Sequence, residues 1–246
     1  MRKILVIIFC IIGVIIGIKA EVETDPVKRI YLEMEWDSIT DSLYMDSDQE
    51  TQQMLLARYE SILYKLYSKD DTDLAEGLLS LSIYNYQIGN YIEAIRLQTE
   101  ALNIRKAILG ETHPDYANSL YNLATYYNKI GNYTEAIRLG TEALNIQKSI
   151  LGEMHPNYAA SISNLALYNY QIGNYAEAIR LGTEALNIRK SILGEMHPDY
   201  AGSLSNLAIY YNKIGNYAEA IRLGTEALNL TKAVLGETHA DYADSL

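Results

Sequence analysis

The fold is decided by the stretch YQIGNYIEAIRLQTEALNIRKAILGETHPDY at residues 86–116, which returns three more times with small changes. A fixed period of this length indicates a repeat architecture, in which neighbouring units bury each other's apolar faces. The last four residues, 243–246, match the opening of a repeat, so we expect an incomplete fifth repeat to begin there. The four complete repeats are repeat 1 at 75–116, repeat 2 at 117–158, repeat 3 at 159–200 and repeat 4 at 201–242.

Each repeat is expected to fold as two helices. The apolar residues of the first half recur with a 3.6-residue period, which is typical of one face of a helix. The second half carries a similar apolar face, and no segment alternates with the period of a β-strand. The sequence therefore predicts an all-α fold. In repeat 2 the first helix carries Leu120, Leu123, Ala124, Tyr127 and Ile130, and the second carries Ala136, Ile137, Ala143, Leu144 and Ile150.

Capping residues predict where these helices begin and end. Asp115 follows Pro114, where its carboxylate is expected to accept hydrogen bonds from the free amides of the first turn. Asn132 precedes Glu135 by three residues, an arrangement close to a capping box at the start of the second helix. Gly152 is suited to the position after the last helical residue.

The residues of this pattern resemble the tetratricopeptide repeat. The family's small residue on the first helix is matched by Ala124, its Gly-x-Tyr turn by Gly131 and Tyr133, and its second-helix alanines by Ala136 and Ala143. The 42-residue length and the LG-E-x-H-P connection are most similar to the kinesin-light-chain type. The resemblance covers 75–242 and implies a right-handed superhelical solenoid of stacked antiparallel helix pairs.

Two positions depart from the family pattern. On the first helix Asn85 and Asn169 replace the expected tyrosine in alternate repeats, with Tyr86 and Tyr170 displaced by one position. The other departure is on the second helix. Four residues after the first alanine of the second helix, where a bulky residue is usual, this chain has Gln98, Gly140, Gly182 and Gly224. Glycine inside a helix costs about 1 kcal/mol relative to alanine. We therefore expect unusually close helix packing at these glycines.

The N-terminal part does not repeat. Residues 1–20 begin with two basic residues and continue as an apolar run that ends at Lys19-Ala20. This pattern predicts a signal peptide cleaved after Ala20, with retention as a membrane anchor as the alternative. Residues 21–74 are expected to form a helical cap on repeat 1, with helices at Val27–Trp36 and Gln49–Tyr67. A degenerate repeat or a separate interaction element is the alternative for this segment.

Composition excludes several classes of function. The chain has 20 Lys and Arg against 31 Asp and Glu, a net charge of −11. Three of the bases and none of the acids lie in the leader, so the mature chain would carry 17 bases and a net charge near −14. Such a surface repels nucleic acid. The single cysteine, Cys10, lies in the leader, which excludes a disulfide framework and a thiolate metal site in the mature protein.

The remaining polar residues indicate neither catalysis nor metal or cofactor binding. One histidine occurs per repeat, and equivalent points on stacked helices are at least about 8–10 Å apart, too far for a shared zinc ion. Glu135, Arg138 and Glu142 recur in every repeat and are expected to form ion pairs on a solvated helix face. The histidines are His113, His155, His197 and His239, and we expect them to be loop residues bonded to the backbone.

A candidate binding site comes from the resemblance. In tetratricopeptide arrays the first helices line a concave groove, and an asparagine before the core leucine commonly bonds to the backbone of a bound extended peptide. An amide suits this role because it both donates and accepts. The alternative is that these asparagines bridge neighbouring helices. The groove residues expected here are Asn122, Asn164, Asn206, Tyr121, Thr125, Lys129, Tyr170, Gln171, Asn212 and Lys213.

Three functions are compatible with these observations. The first is an exported, non-catalytic scaffold that binds a peptide or protein segment in the groove. The second is the recruitment or sensor portion of a longer protein, whose caspase-like peptidase or sensor kinase domain would follow Leu246. The third is self-association through the end of repeat 4, which a four-residue turn cannot cover. A membrane contact is expected only through an uncleaved leader.

Overall fold

The structure is a computed structural model that describes residues 22–43 and 49–235, and within these ranges it contains helices and no strand. The predicted all-α fold is confirmed. The chain forms two compact units, residues 1–81 and 82–246, and the boundary between them falls within the third helix. The helices are α1 (Pro26–Leu43), α2 (Gln49–Leu66), α3 (Thr72–Gln87), α4 (Tyr91–Leu109), α5 (Pro114–Lys129), α6 (Tyr133–Leu151), α7 (Pro156–Gln171), α8 (Tyr175–Leu193), α9 (Pro198–Lys213) and α10 (Tyr217–Leu235).

The first unit is built on the packing of α1 against α2. Trp36 meets Tyr59 edge-on with ring centroids 5.1 Å apart, and Arg58 donates two hydrogen bonds to the carboxylate of Glu35. Helix α1 is longer than predicted, because it continues past Trp36 to Leu43. The polar residues after Trp36 favour an earlier end, but burial of Ile39 against the rest of the unit compensates for their weak helix propensity.

The second unit is a solenoid of helix pairs. In each of repeats 2 to 4 a 16-residue first helix packs against a 19-residue second helix. The second helices of repeats 1 to 3 also pack on the first helix of the next repeat. The buried side chains form one continuous core from Tyr116 to Ala227. Each pair therefore relies on its neighbour to bury its apolar face, as expected for a repeat protein.

Histidine caps each of these first helices, so the prediction that Asp115 is the cap was wrong. His113 is the N-cap residue, and its Nδ1 accepts a hydrogen bond from the backbone N–H of Asp115 at 3.1 Å. His155 and His197 make the same bond at the same distance. Pro114 occupies the first helical position, so the cap must come from the residue before it. The expectation that these histidines bond to backbone is confirmed, and His239 lies outside the described residues.

Replacing His155 by alanine is expected to lower the free energy of unfolding by about 1 kcal/mol, the usual loss for a removed N-cap. His155→Ser keeps an N-cap acceptor and is expected to lose at most a few tenths of a kcal/mol, because serine is among the preferred caps. Urea unfolding followed by circular dichroism measures both. An equal loss in the two variants would mean that the imidazole acts through its packing and not as a cap.

The second helices begin in two different ways. Asn132 accepts from the backbone N–H of Glu135 at 3.3 Å, and Asn216 makes the corresponding bond at 3.4 Å, which confirms the cap prediction in repeats 2 and 4. In repeats 1 and 3 the asparagine makes no such bond. Asn174 instead donates its side-chain N–H to Oδ1 of Asn169 at 3.0 Å, and Asn90 does the same to Asn85. The solenoid therefore alternates between two kinds of repeat.

Close packing at the helix glycines is confirmed in repeats 2 and 3. A methyl group on the Cα of Gly140 would lie 3.1 Å from Cδ2 of Leu165, and one on Gly182 would lie 3.0 Å from Cδ2 of Leu207. Both distances are shorter than ordinary van der Waals contact. At Gly224 the nearest atom of the described residues would be 3.8 Å away, so no described residue makes the close approach there.

Candidate protein-binding face

The first helices present a continuous, largely polar surface along the second unit. Successive first helices, α5 with α7 and α7 with α9, contact each other directly. We call one set of their partly or fully exposed residues the first-helix face. It consists of Tyr121, Asn122, Thr125, Asn128 and Lys129 of α5, Ser163, Asn164, Leu167, Tyr170 and Gln171 of α7, and Ser205, Asn206, Ile209, Asn212 and Lys213 of α9.

The three predicted asparagines are not equivalent. Asn164 donates its side-chain N–H to the hydroxyl of Tyr121 at 2.9 Å and so bridges two first helices. In repeat 3 the place of Tyr121 is taken by Ser163. The Ser163 hydroxyl donates to the backbone oxygen of Ala159 in the same helix. Asn206 is exposed, and neither its amide nor that of Asn122 forms a hydrogen bond within the described residues. Asn122 and Asn206 therefore keep their amides available to a ligand.

Tyrosine pairs also alternate along the face. Tyr86 stacks on Tyr126 with centroids 4.8 Å apart, and Tyr170 stacks on Tyr210 at 5.1 Å. Tyr168 makes no such stack, and its hydroxyl lies 3.4 Å from Oγ1 of Thr125. The sequence prediction included Tyr170 and missed its partners. The available signal was the one-residue displacement of tyrosine in repeats 1 and 3, where Asn85 and Asn169 replace the family tyrosine.

Two lysines at the ends of first helices have no partner among the described residues. Lys129 and Lys213 are exposed, and the described residues give them neither an ion pair nor a hydrogen bond. Several other exposed bases of the second unit are paired with acids, and Arg138 contacts the carboxylates of both Glu135 and Glu142. Gln171 and Asn212 are also exposed at this edge.

The repeated carboxylates lie on the second helices and form ion pairs, as predicted. The Arg138 guanidinium hydrogen-bonds Glu135 at 2.6 Å and holds the pKa of that carboxyl below its usual range. Exposed pairs of this kind contribute about 0–1 kcal/mol each. Among the described residues, no group of three or more His, Cys, Asp or Glu side chains is placed to hold a metal ion.

Tyr210 carries a buried hydroxyl for which the described residues provide no hydrogen-bond partner. At the two preceding junctions the hydroxyl of the equivalent tyrosine lies within hydrogen-bonding distance of the hydroxyl of Ser82 or Thr125. The equivalent residues beside Tyr210 are Ala166 and Leu167, which have no hydroxyl. Burial raises the pKa of Tyr210 to about 12. The pKa of Tyr210 is thus higher in the folded state than in the unfolded state. Its contribution to the free energy of unfolding is complete below about pH 10 and is lost as the pH rises towards 12.

Tyr210→Phe is expected to raise the free energy of unfolding at pH 7 by about 1 kcal/mol, because an unsatisfied buried hydroxyl is removed. The same change should move the midpoint of alkaline unfolding to higher pH, because one ionising group is lost. Tyr168→Phe is the control, since it removes a hydroxyl that has a partner, and it should lower stability. Unfolding followed by circular dichroism at pH 7 and across pH 9–12 measures both effects, and a loss at pH 7 in Tyr210→Phe would contradict the prediction.

The helix pairs, their close packing and the exposed first helices define a class of protein, the helical-repeat scaffold. Residues 73–149 and 127–191 match a model of the tetratricopeptide repeat, and residues 201–241 match a second model of the same repeat. The chain therefore belongs to the tetratricopeptide repeat family. The family is generally a non-catalytic scaffold, and its fold is consistent with protein–protein interaction.

Solved structures share this fold. BtubC (BKLC) from P. vanneervenii is 23% identical, with a TM-score of 0.71 over 86% of this chain and 84% of that one. A Podosopora anserina chain of the kinesin-light-chain type, with nearly identical TPR-like repeats, is 23% identical, with a TM-score of 0.68 over 83% of this chain and 97% of that one. The apo form of RapI is 16% identical, with a TM-score of 0.69, covering 82% and 71%. No curated protein sequence matches significantly.

The predicted kinesin-light-chain-like repeat type is confirmed by these structural neighbours. Across residues 22–43 and 49–235, every helix is too short or too polar to cross a bilayer. The predicted signal peptide lies outside the described residues, as do residues 243–246, where a fifth repeat is expected to begin.

Proposed function

We propose that this protein is an exported, non-catalytic scaffold that binds an extended segment of a partner protein on the first-helix face. The observation that carries the proposal is the pair of available amides on Asn122 and Asn206. Each can donate to and accept from the main chain of a ligand, whatever the ligand's side chains. The surrounding tyrosines add apolar contact area at a small cost in conformational entropy.

The proposal is tested by capture of a partner with the full chain as bait. The natural partner is isolated from the cells that make the protein and identified by mass spectrometry. The double variant Asn122→Ala/Asn206→Ala is expected to lose that partner while keeping its helicity, because both free amides are gone. Asn164→Ala is the matched control: it removes the amide that is already bonded to Tyr121 and should retain the partner. Undiminished capture by the double variant would refute binding on this face.

Export is the second part of the proposal and rests on residues 1–20. The mass of the protein isolated from its own cells, with its N-terminal residue, tests it. A chain that begins at Glu21 supports cleavage after Ala20, whereas a chain that begins at Met1 favours an anchor. A mass well above 27.7 kDa would support the alternative, in which the repeats recruit partners for a further domain.

A further inference from the structure

Three features of the first-helix face recur together at every second repeat. Where repeats 1 and 2 meet, a stacked tyrosine pair lies beside Asn122 and Lys129. Where repeats 3 and 4 meet, a second stacked pair lies beside Asn206 and Lys213. On α5 and α9 the asparagine, the buried tyrosine and the lysine are spaced i, i+4 and i+7, which places them along one side of the helix.

The junction between repeats 2 and 3 lacks all three features. Its asparagine, Asn164, is bonded to Tyr121, and its buried tyrosine, Tyr168, lies against Thr125 instead of stacking. The lysine is replaced by Gln171. At this junction the asparagine and the buried tyrosine are used within the chain, although Oδ1 of Asn128 is buried without a hydrogen-bond partner among the described residues. The junctions on either side leave an amide and an ammonium group available.

We propose that the first-helix face is bivalent: two equivalent subsites, at Asn122/Lys129 and Asn206/Lys213, bind two equivalent carboxylate-bearing motifs of one extended partner segment. This inference rests on the proposed function and adds the chemistry and the spacing of the ligand. In each subsite the asparagine contacts the ligand main chain, the half-buried ring of the stacked pair contacts an apolar side chain, and the lysine pairs with a carboxylate.

Charge is the reason for a carboxylate. The chain has a net charge of −11, and several other exposed bases of the second unit lie against acidic side chains, as Lys148 does against Glu153. Lys129 and Lys213 are the only charged side chains among the residues named for the first-helix face, because Asp115 and Asp199 lie in the first turns of the same helices, at the opposite end. The described residues offer neither lysine an acidic partner. A ligand carboxylate at each subsite would complete the pairing that the chain itself leaves open.

The fold also sets the spacing between the two motifs. Helix α7 lies between α5 and α9 and contacts both. Packed helices are about 8–10 Å apart, so the subsites are separated by about 20 Å. An extended chain advances about 3.3 Å per residue, so equivalent ligand residues should lie about six positions apart. The middle junction would then contact only the linker between the motifs.

The test uses three fluorescein-labelled peptides made of Gly and Ser apart from Leu-Asp pairs. The first carries two pairs with aspartates six residues apart, the second two pairs three residues apart, and the third a single pair. Binding to the full chain is followed by fluorescence anisotropy at two salt concentrations. The six-residue peptide is expected to bind about tenfold or more tightly than the other two, because the second contact becomes intramolecular. Its affinity should fall with added salt.

Single substitutions connect this affinity to the lysines. Lys129→Gln and Lys213→Gln introduce the residue that repeats 1 and 3 carry at the same place, at Gln87 and Gln171, so the fold should tolerate them. Each is expected to reduce the affinity for the six-residue peptide to that of the single-pair peptide. Lys148→Gln removes the same charge from a second helix and should leave binding unchanged.

Three results would overturn the bivalent face: no binding of the six-residue peptide, no advantage over the single-pair peptide, or an equal loss in Lys148→Gln and Lys129→Gln. The natural partner separates this failure from failure of the proposed function. If Asn122→Ala/Asn206→Ala loses that partner while the peptide spacing has no effect, the first-helix face binds protein but is not bivalent.

Discussion

Replacing Leu165 by alanine is expected to lower the free energy of unfolding by about 2–5 kcal/mol. Leu165 lies on the first helix of repeat 3, is 4% exposed and packs against Gly140 on the second helix of repeat 2. Its removal leaves a cavity at a junction that every later repeat depends on. Chemical denaturation followed by circular dichroism measures the loss.

The effect of Gly140→Ala on the free energy of unfolding should change sign with the size of residue 165. In the natural chain Gly140→Ala places a methyl 3.1 Å from Leu165, so the contact opposes the gain in helix propensity of about 1 kcal/mol. In the Leu165→Ala background that methyl has room, and the substitution should stabilise by about 1 kcal/mol. Gly224→Ala, where the nearest atom is 3.8 Å away, should stabilise in both backgrounds. If Gly140→Ala changes the free energy of unfolding equally in both backgrounds, close packing is not the reason for glycine at this position.

Replacing Arg105 by alanine is the second large effect expected, a loss of about 2–5 kcal/mol, as for other long buried side chains. Arg105 is 2% exposed. Its Nη1 donates to the hydroxyl of Ser119 at 2.8 Å and to the backbone oxygen of Asp115 at 3.2 Å. Truncation would create a cavity and also leave these acceptors without their donor.

Arg105→Gln is the control that the chain itself provides. In the next repeat the same place is held by Gln147, which is also buried and accepts a hydrogen bond from the Ser161 hydroxyl at 2.6 Å. Arg105→Gln is therefore expected to cost well under half of the alanine loss, because the serine keeps a partner and most of the volume stays filled. Thermal unfolding of the two variants side by side compares them. Equal losses would mean that the positive charge, and not the shape and hydrogen bonding, is required.

Local sequence information was enough for the helices. The apolar period, the glycines after each helix and the Asn–Glu spacing depend on residues within a few positions of one another. The bounds of α4 to α10 follow from them closely. The errors have local causes too. Pro114 at the first helical position moved the cap to His113, and buried Ile39 extended α1 beyond its polar residues.

The candidate site was predicted only in part. The first-helix asparagines could be named from the family pattern, but their equivalence in sequence concealed a difference in structure. Asn164 is bonded because residue 121, on the preceding first helix, is a tyrosine long enough to reach it. Asn206 makes no such bond among the described residues because Ser163 stands at the place that Tyr121 holds for Asn164. The serine side chain is too short to reach Asn206, and its hydroxyl bonds to its own helix. The stacked tyrosine pairs were missed for the same reason, since each joins two repeats.

The repeat, the helix pairs, their turns and the family follow from the amino-acid sequence alone, because these depend on periodicity and on capping between near neighbours along the chain. Which polar groups remain available on the first-helix face depends instead on the packing of one repeat against the next. The availability of each group depends on a side chain from the adjacent repeat, about forty residues away in sequence, and helix packing about 8–10 Å apart brings the two within hydrogen-bonding reach.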